Sequence, residues 1–150
     1  MEEVKTQNEL KKEYLWKYQS AVRRVARIEA ELQEVRAMKM SISVGGNDGM
    51  PRGSGQADLS SYAARLDKLE RNLVNERYKR IKLYEDIAKQ IEKLSSTNEK
   101  DVVFFRYIKG LDWYEIAEKM NFTERHVHRI HGKALVHLQL PENKDVIECQ

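Results

Sequence analysis

Histidine and arginine side chains crowd into one short stretch near the C-terminal end of the chain. All four histidines lie within twelve residues, from His126 to His137, and Arg125, Arg129 and Lys133 lie beside or between them. Imidazoles suit metal binding, whereas a guanidinium group can donate two hydrogen bonds at once to guanine or to phosphate. The candidate binding residues are Thr123, Glu124, Arg125, His126, His128, Arg129 and Lys133.

Metal binding is the weaker interpretation of the histidines. Of His126, His128 and His131, only the last two share a side of a helix, and the sequence nearby offers no further ligands that would complete a four-ligand site. The chain also shows no paired carboxylates, nucleophile motif or Cys/His pair that would indicate catalysis. We therefore expect no cofactor, no metal ion and no enzyme activity.

A helix that begins after Thr123 would separate these polar side chains from an apolar face. A turn of 100° per residue puts the following residues towards a core: Val127, Ile130, Ala134 and Leu138, with Leu135 at the edge. The opposite side carries Arg125, Arg129 and Gly132, flanked by His126, His128 and Lys133. His131 falls close to the apolar side, where we expect a partly buried packing residue.

Donors on the N-terminal half of an outward helix face are typical of helices that enter the major groove of duplex DNA. Arginine there would donate to guanine, Glu124 would accept from a cytosine amino group, and Thr123 with the first amides would face a phosphate. Gly132 costs about 1 kcal/mol relative to alanine inside a helix, and a bare surface against a DNA backbone is a reason to keep it.

Two shorter helices are predicted before this one. Ser96 with Glu99 suggests a capping box for a helix that ends near Ile108, and Gly110 supplies a left-handed C-terminal cap. Asp112 caps a helix from Trp113 to Met120, Asn121 and Phe122 form the turn, and Thr123 caps the helix from Glu124 to about Leu138. This order is that of a helix-turn-helix, with Phe104, Phe105 and Trp113 expected in its core.

Two long stretches before this unit each carry one narrow apolar stripe. Between residues 7 and 40 apolar residues recur at alternating steps of three and four, a heptad seam, at Tyr14, Tyr18, Ala21, Val25, Ile28, Leu32 and Val35. Between residues 58 and 94 the stripe is Leu59, Tyr62, Leu66, Leu69 and Leu73, followed after a phase slip near Glu76 and Arg77 by Ile81, Tyr84, Ala88, Ile91 and Leu94. Residues 41–57, with five glycines and a proline, predict a loop.

The pairing of these stripes stays open at the level of sequence. They either fold back on each other as an antiparallel hairpin or pair between chains in a homodimer or other homo-oligomer. Two basic clusters lie within the arms, Arg23, Arg24 and Arg27 and then Arg77, Lys79, Arg80 and Lys82. They favour a solvated coiled-coil face, because each arm, counted over residues 1–40 and 58–94, carries seven acidic residues against nine basic ones.

The composition agrees with an α-helical DNA-binding protein. Charged residues make up 34% of the chain and the net charge is +3, a mild basic balance that permits nucleic-acid binding. No apolar run is long enough for a membrane span or typical of a secretion signal, and the single cysteine, Cys149, forms no intramolecular disulfide. We expect a protein of the bacterial cytoplasm that does not bind membranes.

The segment FFRYIKGLDWYEIAEKMNFTERHVHRIHGKALVHL resembles region 4 of bacterial sigma factors, and more closely the sigma-like ArpU-type late transcriptional regulators of phages that infect Gram-positive bacteria. The resemblance implies DNA contacts at Glu124, Arg125, His126, His128 and Arg129, and host RNA polymerase as a further partner. Histidines replace the arginine or acidic residues usual in sigma domains, so base preference does not carry over. Nothing resembles the sigma domain that melts the −10 element.

The sequence therefore predicts an all-α protein, with a long antiparallel helical hairpin or coiled coil followed by a three-helix helix-turn-helix domain. The expected division is residues 1–94 for the hairpin (helices 7–40 and 58–94, loop 41–57), 95–140 for the DNA-binding domain and 141–150 for a tail. The function indicated is a phage or prophage transcription regulator, an activator rather than a repressor. The alternatives are a small terminase-like packaging subunit and a helical adaptor that does not bind DNA.

Overall fold

The structure, a computed structural model, describes residues 5–44 and 55–142, and within these ranges it consists of helices and their connections, with no strand. The elements are α1 (Gln7–Val44), α2 (Gly55–Glu92), α3 (Thr97–Val103), a π-helical turn (Phe104–Ile108), α4 (Trp113–Met120) and α5 (Glu124–His137). The all-α prediction, with a long hairpin followed by short helices, is confirmed. Over the described ranges, no helix combines the length and the apolar composition that crossing a membrane requires.

The two long helices extend further into the predicted loop than the sequence indicated. Residues 41–44 belong to α1 and residues 55–57 to α2, so the prediction of a loop over 41–57 was wrong at both ends. The physical reason lies in where the breakers stand: the first glycine after α1 is Gly45, and the Gln56 and Ala57 that follow Gly55 favour a helix. Residues 45–54, the centre of that loop, and residues 143–150 of the predicted tail lie outside the described residues.

Backbone proximity divides the chain into two compact units, and each long helix contributes to both. One unit is Ala21–Arg80, and the other combines Met1–Ser20 with Ile81–Gln150. The second unit therefore contains α3, the π-helical turn, α4 and α5 together with the first turns of α1 and the last turns of α2.

The unit of residues 21–80 is an antiparallel pair of helices. Arg24 of α1 pairs with Glu76 of α2 at 3.2 Å, and Arg36 pairs with Glu70 at 3.4 Å. The later residue of α1 therefore pairs with the earlier residue of α2, so the two helices run in opposite directions. The stripe predicted on α1 forms the core with α2, through Val25, Ile28, Leu32, Val35, Leu69 and Leu73, against which Tyr62 and Leu66 pack. The hairpin is thus made within one chain.

The phase slip expected in α2 does not occur. Ile81 and Tyr84, predicted to lie in the stripe, are 56% and 43% exposed, whereas Ile87 is fully buried. The heptad spacing of Leu69 and Leu73 instead continues through positions 76, 80, 83 and 87. Two of these positions hold polar residues, Glu76 and Arg80, so the apolar pattern is not visible in the sequence. Glu76 occupies a seam position because its carboxylate accepts a hydrogen bond from Arg24 of α1, which lowers the pKa of Glu76.

The other unit has its own core between the short helices. Val102, Ile116, Ala117, Val127 and Ile130 are buried together, and five partly buried side chains pack against them: Phe105, Leu111, Trp113, Met120 and Phe122. The helix predicted to run to about Ile108 has that extent, but its last five residues are π-helical. Gly110 follows with a φ of 69°, as its predicted cap role requires.

Candidate nucleic-acid interface

The turn between α4 and α5 is built from local capping contacts. Asp112 accepts from the amide of Glu115 at 2.8 Å, and the Glu115 carboxylate accepts from the amide of Asp112 at 3.0 Å, a complete capping box. Asn121 ends α4 in the left-handed region with a φ of 61°, and Thr123 accepts from the amide of His126 to open α5. The predicted caps and bounds of both helices are confirmed.

Helix α5 has one buried and one exposed face, divided as its sequence predicted. The buried residues include Val127, Ile130, Ala134 and Leu138, and Leu135, expected at the edge, is also buried. All of the candidate binding residues are exposed: Thr123, Glu124, Arg125, His126, His128, Arg129 and Lys133. A Cβ added to Gly132 would meet open space, so this glycine is not required by packing within the described protein.

The cations of this face have no partner in the described part of the chain, in contrast to the two basic clusters of the long helices. Among the described residues, no hydrogen bond, ion pair or ring contact engages Arg125, Arg129 or Lys133. In the arms, Arg77 lies 3.0 Å from Glu29, and Glu76 pairs with both Arg24 and Lys79. The remaining basic residues of the two arm clusters also have partners: Arg23, Arg27, Arg80 and Lys82.

The carboxylates of α4 are occupied by their own helix. Asp112 and Glu115 form the capping box, and Glu118 accepts a hydrogen bond from the Tyr114 hydroxyl at 2.6 Å, which raises the pKa of Tyr114. The acidic residues of α4 therefore have partners in their own helix, and α4 itself carries one exposed cation, Lys119, whereas α5 carries three, Arg125, Arg129 and Lys133.

The four histidines lie in four different environments. His126 meets the edge of Phe122 with ring centroids 4.7 Å apart, and His128 lies 4.4 Å from Trp113. His137 Nδ1 lies 3.0 Å from both carboxylate oxygens of Glu99. His128 and His131 both contact the ring of Trp113, but the described part of the chain holds no group of three or more potential ligands placed for a metal ion.

His131 is buried, with 6% of its surface exposed, so it packs more deeply than the sequence suggested. Its Nε2 lies 2.6 Å from the Tyr107 hydroxyl, and its ring stacks on that of Tyr107. Burial, and then the positive charges of Lys12, Arg106 and His128, lower the pKa of His131 to about 4. This histidine is therefore neutral at physiological pH and belongs to the core rather than to the binding face.

Arg106 is a structural residue that the sequence analysis missed. Its guanidinium lies 4.4 Å from the ring centre of Trp113 and 5.1 Å from that of Trp16, and it donates to the Leu111 carbonyl at 3.0 Å. An arginine inside the otherwise aromatic and aliphatic run FFRYI was the available signal, because a charge in such a run needs a specific partner.

The fold and this surface together define a helix-turn-helix DNA-binding domain. Residues 91–140, one third of the chain, match the family model described as Sigma-70, region 4. A region 4 domain is therefore present, and it covers α3, the π-helical turn, α4 and α5. Neither the curated proteins nor the solved structures compared with this chain include a match.

Proposed function

We propose that this protein is a sequence-specific regulator of transcription that inserts α5 into the major groove of duplex DNA. The observation that carries the proposal is the unpartnered cationic face of α5, with Arg125, Arg129 and Lys133 exposed along the helix that follows the turn of a region 4 domain. Three such cations against the single carboxylate of Glu124 favour a polyanionic partner.

Each residue of the face has a proposed role that follows from its place on α5. Arg125 and Arg129 reach base edges, where a guanidinium donates bidentately to guanine O6 and N7. Glu124 accepts from a cytosine amino group, and the Thr123 cap with the first amides of α5 faces a phosphate. His126, His128 and Lys133 lie on either flank, where they contact the sugar-phosphate backbone.

We propose further that the regulator is encoded by a phage or prophage, is an activator and acts in the bacterial cytoplasm as a homodimer or other homo-oligomer. The resemblance to ArpU-type regulators supports the phage origin. Activation is favoured over repression because region 4 of sigma factors also contacts RNA polymerase, which would be the second partner. A mass of two subunits in light scattering is expected, whereas a ring of eight or more would instead support a packaging role.

Selection of bound duplexes from a genomic library with the full-length protein tests the proposal directly. Replacing Arg129 by alanine should weaken binding to the selected duplex by about 1–3 kcal/mol, because one bidentate base contact is lost. The matched control is Arg65→Ala, which removes an exposed arginine of α2. Equal binding by the Arg129 variant and the wild type would contradict the assignment of α5, and absence of any salt-sensitive DNA binding would favour an adaptor.

A further inference from the structure

The first turns of α1 lie in the same compact unit as the region 4 domain, although they precede the matched residues by more than seventy positions. Leu15 is fully buried in this unit, and Tyr14 and Tyr18 are also buried. The family match begins at residue 91, so it assigns no role to this segment. Three polar or aromatic contacts join it to the elements that present the DNA-binding face.

The first contact is made at the C-terminal end of the recognition helix α5. The Lys11 ammonium donates to the carbonyl of Leu135 at 2.7 Å and to that of Val136 at 3.3 Å. The last carbonyls of a helix have no partner within it, and the helix dipole places negative charge there. Lys11 therefore satisfies these carbonyls with a positive charge supplied by a distant part of the chain.

The second contact is made at the end of the π-helical turn. The Gln19 side-chain amide donates to the carbonyls of Tyr107 and Ile108 at 3.1 and 2.8 Å. A Cβ added to Gly110 would lie 3.1 Å from the Gln19 amide oxygen, so the left-handed glycine also leaves room for this side chain. Gln19 thus holds the residues between the π-helical turn and α4.

The third contact is a series of rings and a guanidinium that ends at the exposed face of α5. Trp16 of α1 packs edge-on against Tyr107 and lies 5.1 Å from Arg106. Arg106 in turn lies 4.4 Å from Trp113, whose ring is 4.4 Å from that of His128. Because each side chain of the series packs against the next, moving Trp16 would move His128, a candidate DNA-contacting residue.

From these contacts we infer that residues 5–20 of α1 are a positioning part of the DNA-reading unit, in which Trp16, Lys11 and Gln19 hold α5 in the orientation that sequence-specific binding requires. The inference rests on the proposed function. It adds that the DNA-reading unit is assembled from two distant parts of the chain, residues 5–20 and the region 4 domain at residues 91–140. None of the three residues needs to touch DNA for this role.

The test uses the full-length protein and two duplexes, the one selected from the genomic library and a scrambled duplex of the same composition. The variants are Lys11→Met, which keeps the length of the side chain and removes its charge and donors, and Trp16→Ala. Lys17→Met is the matched control, because Lys17 is an exposed lysine of the same segment. All affinities are measured at a temperature at which circular dichroism shows each variant fully folded.

Positioning predicts that the ratio of selected to scrambled affinity falls by roughly fivefold or more in Lys11→Met and Trp16→Ala, and stays unchanged in Lys17→Met. Lys11→Arg should keep the wild-type ratio of selected to scrambled affinity, since arginine can donate to the same carbonyls. A residue that only stabilises the fold would lower the melting temperature without changing this ratio, and that result overturns the inference. Should Trp16→Ala not fold, Lys11→Met and its rescue decide alone.

The two proposals fail in different ways. A wild-type protein that selects no duplex overturns both the proposed function and the positioning role. A wild-type protein that selects a duplex, loses it on Arg129→Ala and keeps it on Lys11→Met and Trp16→Ala overturns only the positioning role.

Discussion

Two buried tyrosines of the unit that holds the region 4 domain differ in what their hydroxyl groups contact. Burial raises the pKa of both Tyr14 and Tyr107 to about 12, so each stays protonated at neutral pH. The Tyr107 hydroxyl lies 2.6 Å from His131 Nε2, whereas the buried Tyr14 hydroxyl has no hydrogen-bond partner among the described residues. An unpaired buried hydroxyl costs free energy that a paired one does not.

Removing the Tyr107 hydroxyl should therefore destabilise the fold, whereas removing the Tyr14 hydroxyl should not. Tyr14→Phe should leave the free energy of unfolding unchanged or raise it by up to about 1 kcal/mol, and Tyr107→Phe should lower it by about 1–3 kcal/mol, since His131 loses its partner. Urea denaturation of the two variants under one condition measures the difference. A larger loss in Tyr14→Phe than in Tyr107→Phe would show that the Tyr14 hydroxyl has a partner in solution.

His131 should make the stability of the fold depend on pH. Its pKa is about 4 in the folded protein and near 6.5 in an unfolded chain, so between these values the unfolded state binds more protons. The stability that the neutral His131 contributes is therefore fully present above pH 6.5, and it is lost as the pH falls towards 4. Between pH 7 and pH 5 we expect a loss on the order of 1–2 kcal/mol from this group.

Urea denaturation at pH 7 and pH 5 of the wild type and of His131→Gln measures this contribution. The variant lacks the imidazole, so it should lose clearly less stability across the interval, and titrations of the other histidines are common to both proteins. The same loss in both proteins would mean that His131 does not remain neutral in the fold.

At the scale of elements, what could be predicted from the sequence depended on whether the cause was local. The caps at Asp112 and Thr123, the left-handed Gly110 and the two faces of α5 follow from neighbours within a few residues, and each was predicted. The seam of α1 was likewise visible, since its heptad positions are nearly all apolar.

The misassigned part of α2 had a cause that lies on another helix. Glu76 interrupts the apolar stripe, and a stripe that appears interrupted is naturally continued through the next apolar residues, Ile81 and Tyr84. The pairing of Glu76 with Arg24, fifty-two positions away, is what keeps the original phase. The contacts of Lys11 and Gln19 with the C-terminal half of the chain are non-local in the same way, and no pattern of spacing indicates them.

Gly132 offers a test of what α5 faces. Because open space surrounds the position, Gly132→Ala should raise the free energy of unfolding by roughly 0.5–1 kcal/mol through helix propensity. If the backbone of DNA passes close to α5 here, the same change should weaken binding to the selected duplex. The measurements are urea denaturation and fluorescence anisotropy with labelled duplex.

Asn75→Ala provides the control for this pair of measurements. Asn75 is exposed on α2, so alanine there should also favour the helix and should leave DNA affinity unchanged. A Gly132→Ala variant that is more stable and binds as tightly as the wild type would show that no DNA atom approaches this position.

Over the whole molecule, the distribution of paired and unpaired charge distinguishes two models of DNA binding. The net charge of +3 is too small to identify a binding surface, and the long helices hold many of the basic residues. Several of these are paired with carboxylates across or along the hairpin, as Arg77 is with Glu29. If only α5 meets the DNA, Lys133 neutralises one phosphate, and Arg125 and Arg129, placed at base edges, add at most two more released counterions.

The salt dependence of binding should therefore be shallow. One to three neutralised phosphates predict a slope between about −1 and −3 for the logarithm of the association constant against the logarithm of salt concentration, per bound subunit. Lys133→Gln should make the slope less steep by about 1, whereas replacing both Arg77 and Lys79 by glutamine should leave it unchanged. Anisotropy titrations from low to moderate salt give these slopes. A slope of about −6 or steeper that the Arg77 and Lys79 replacement reduces would place the long helices on the DNA and contradict a binding surface confined to α5.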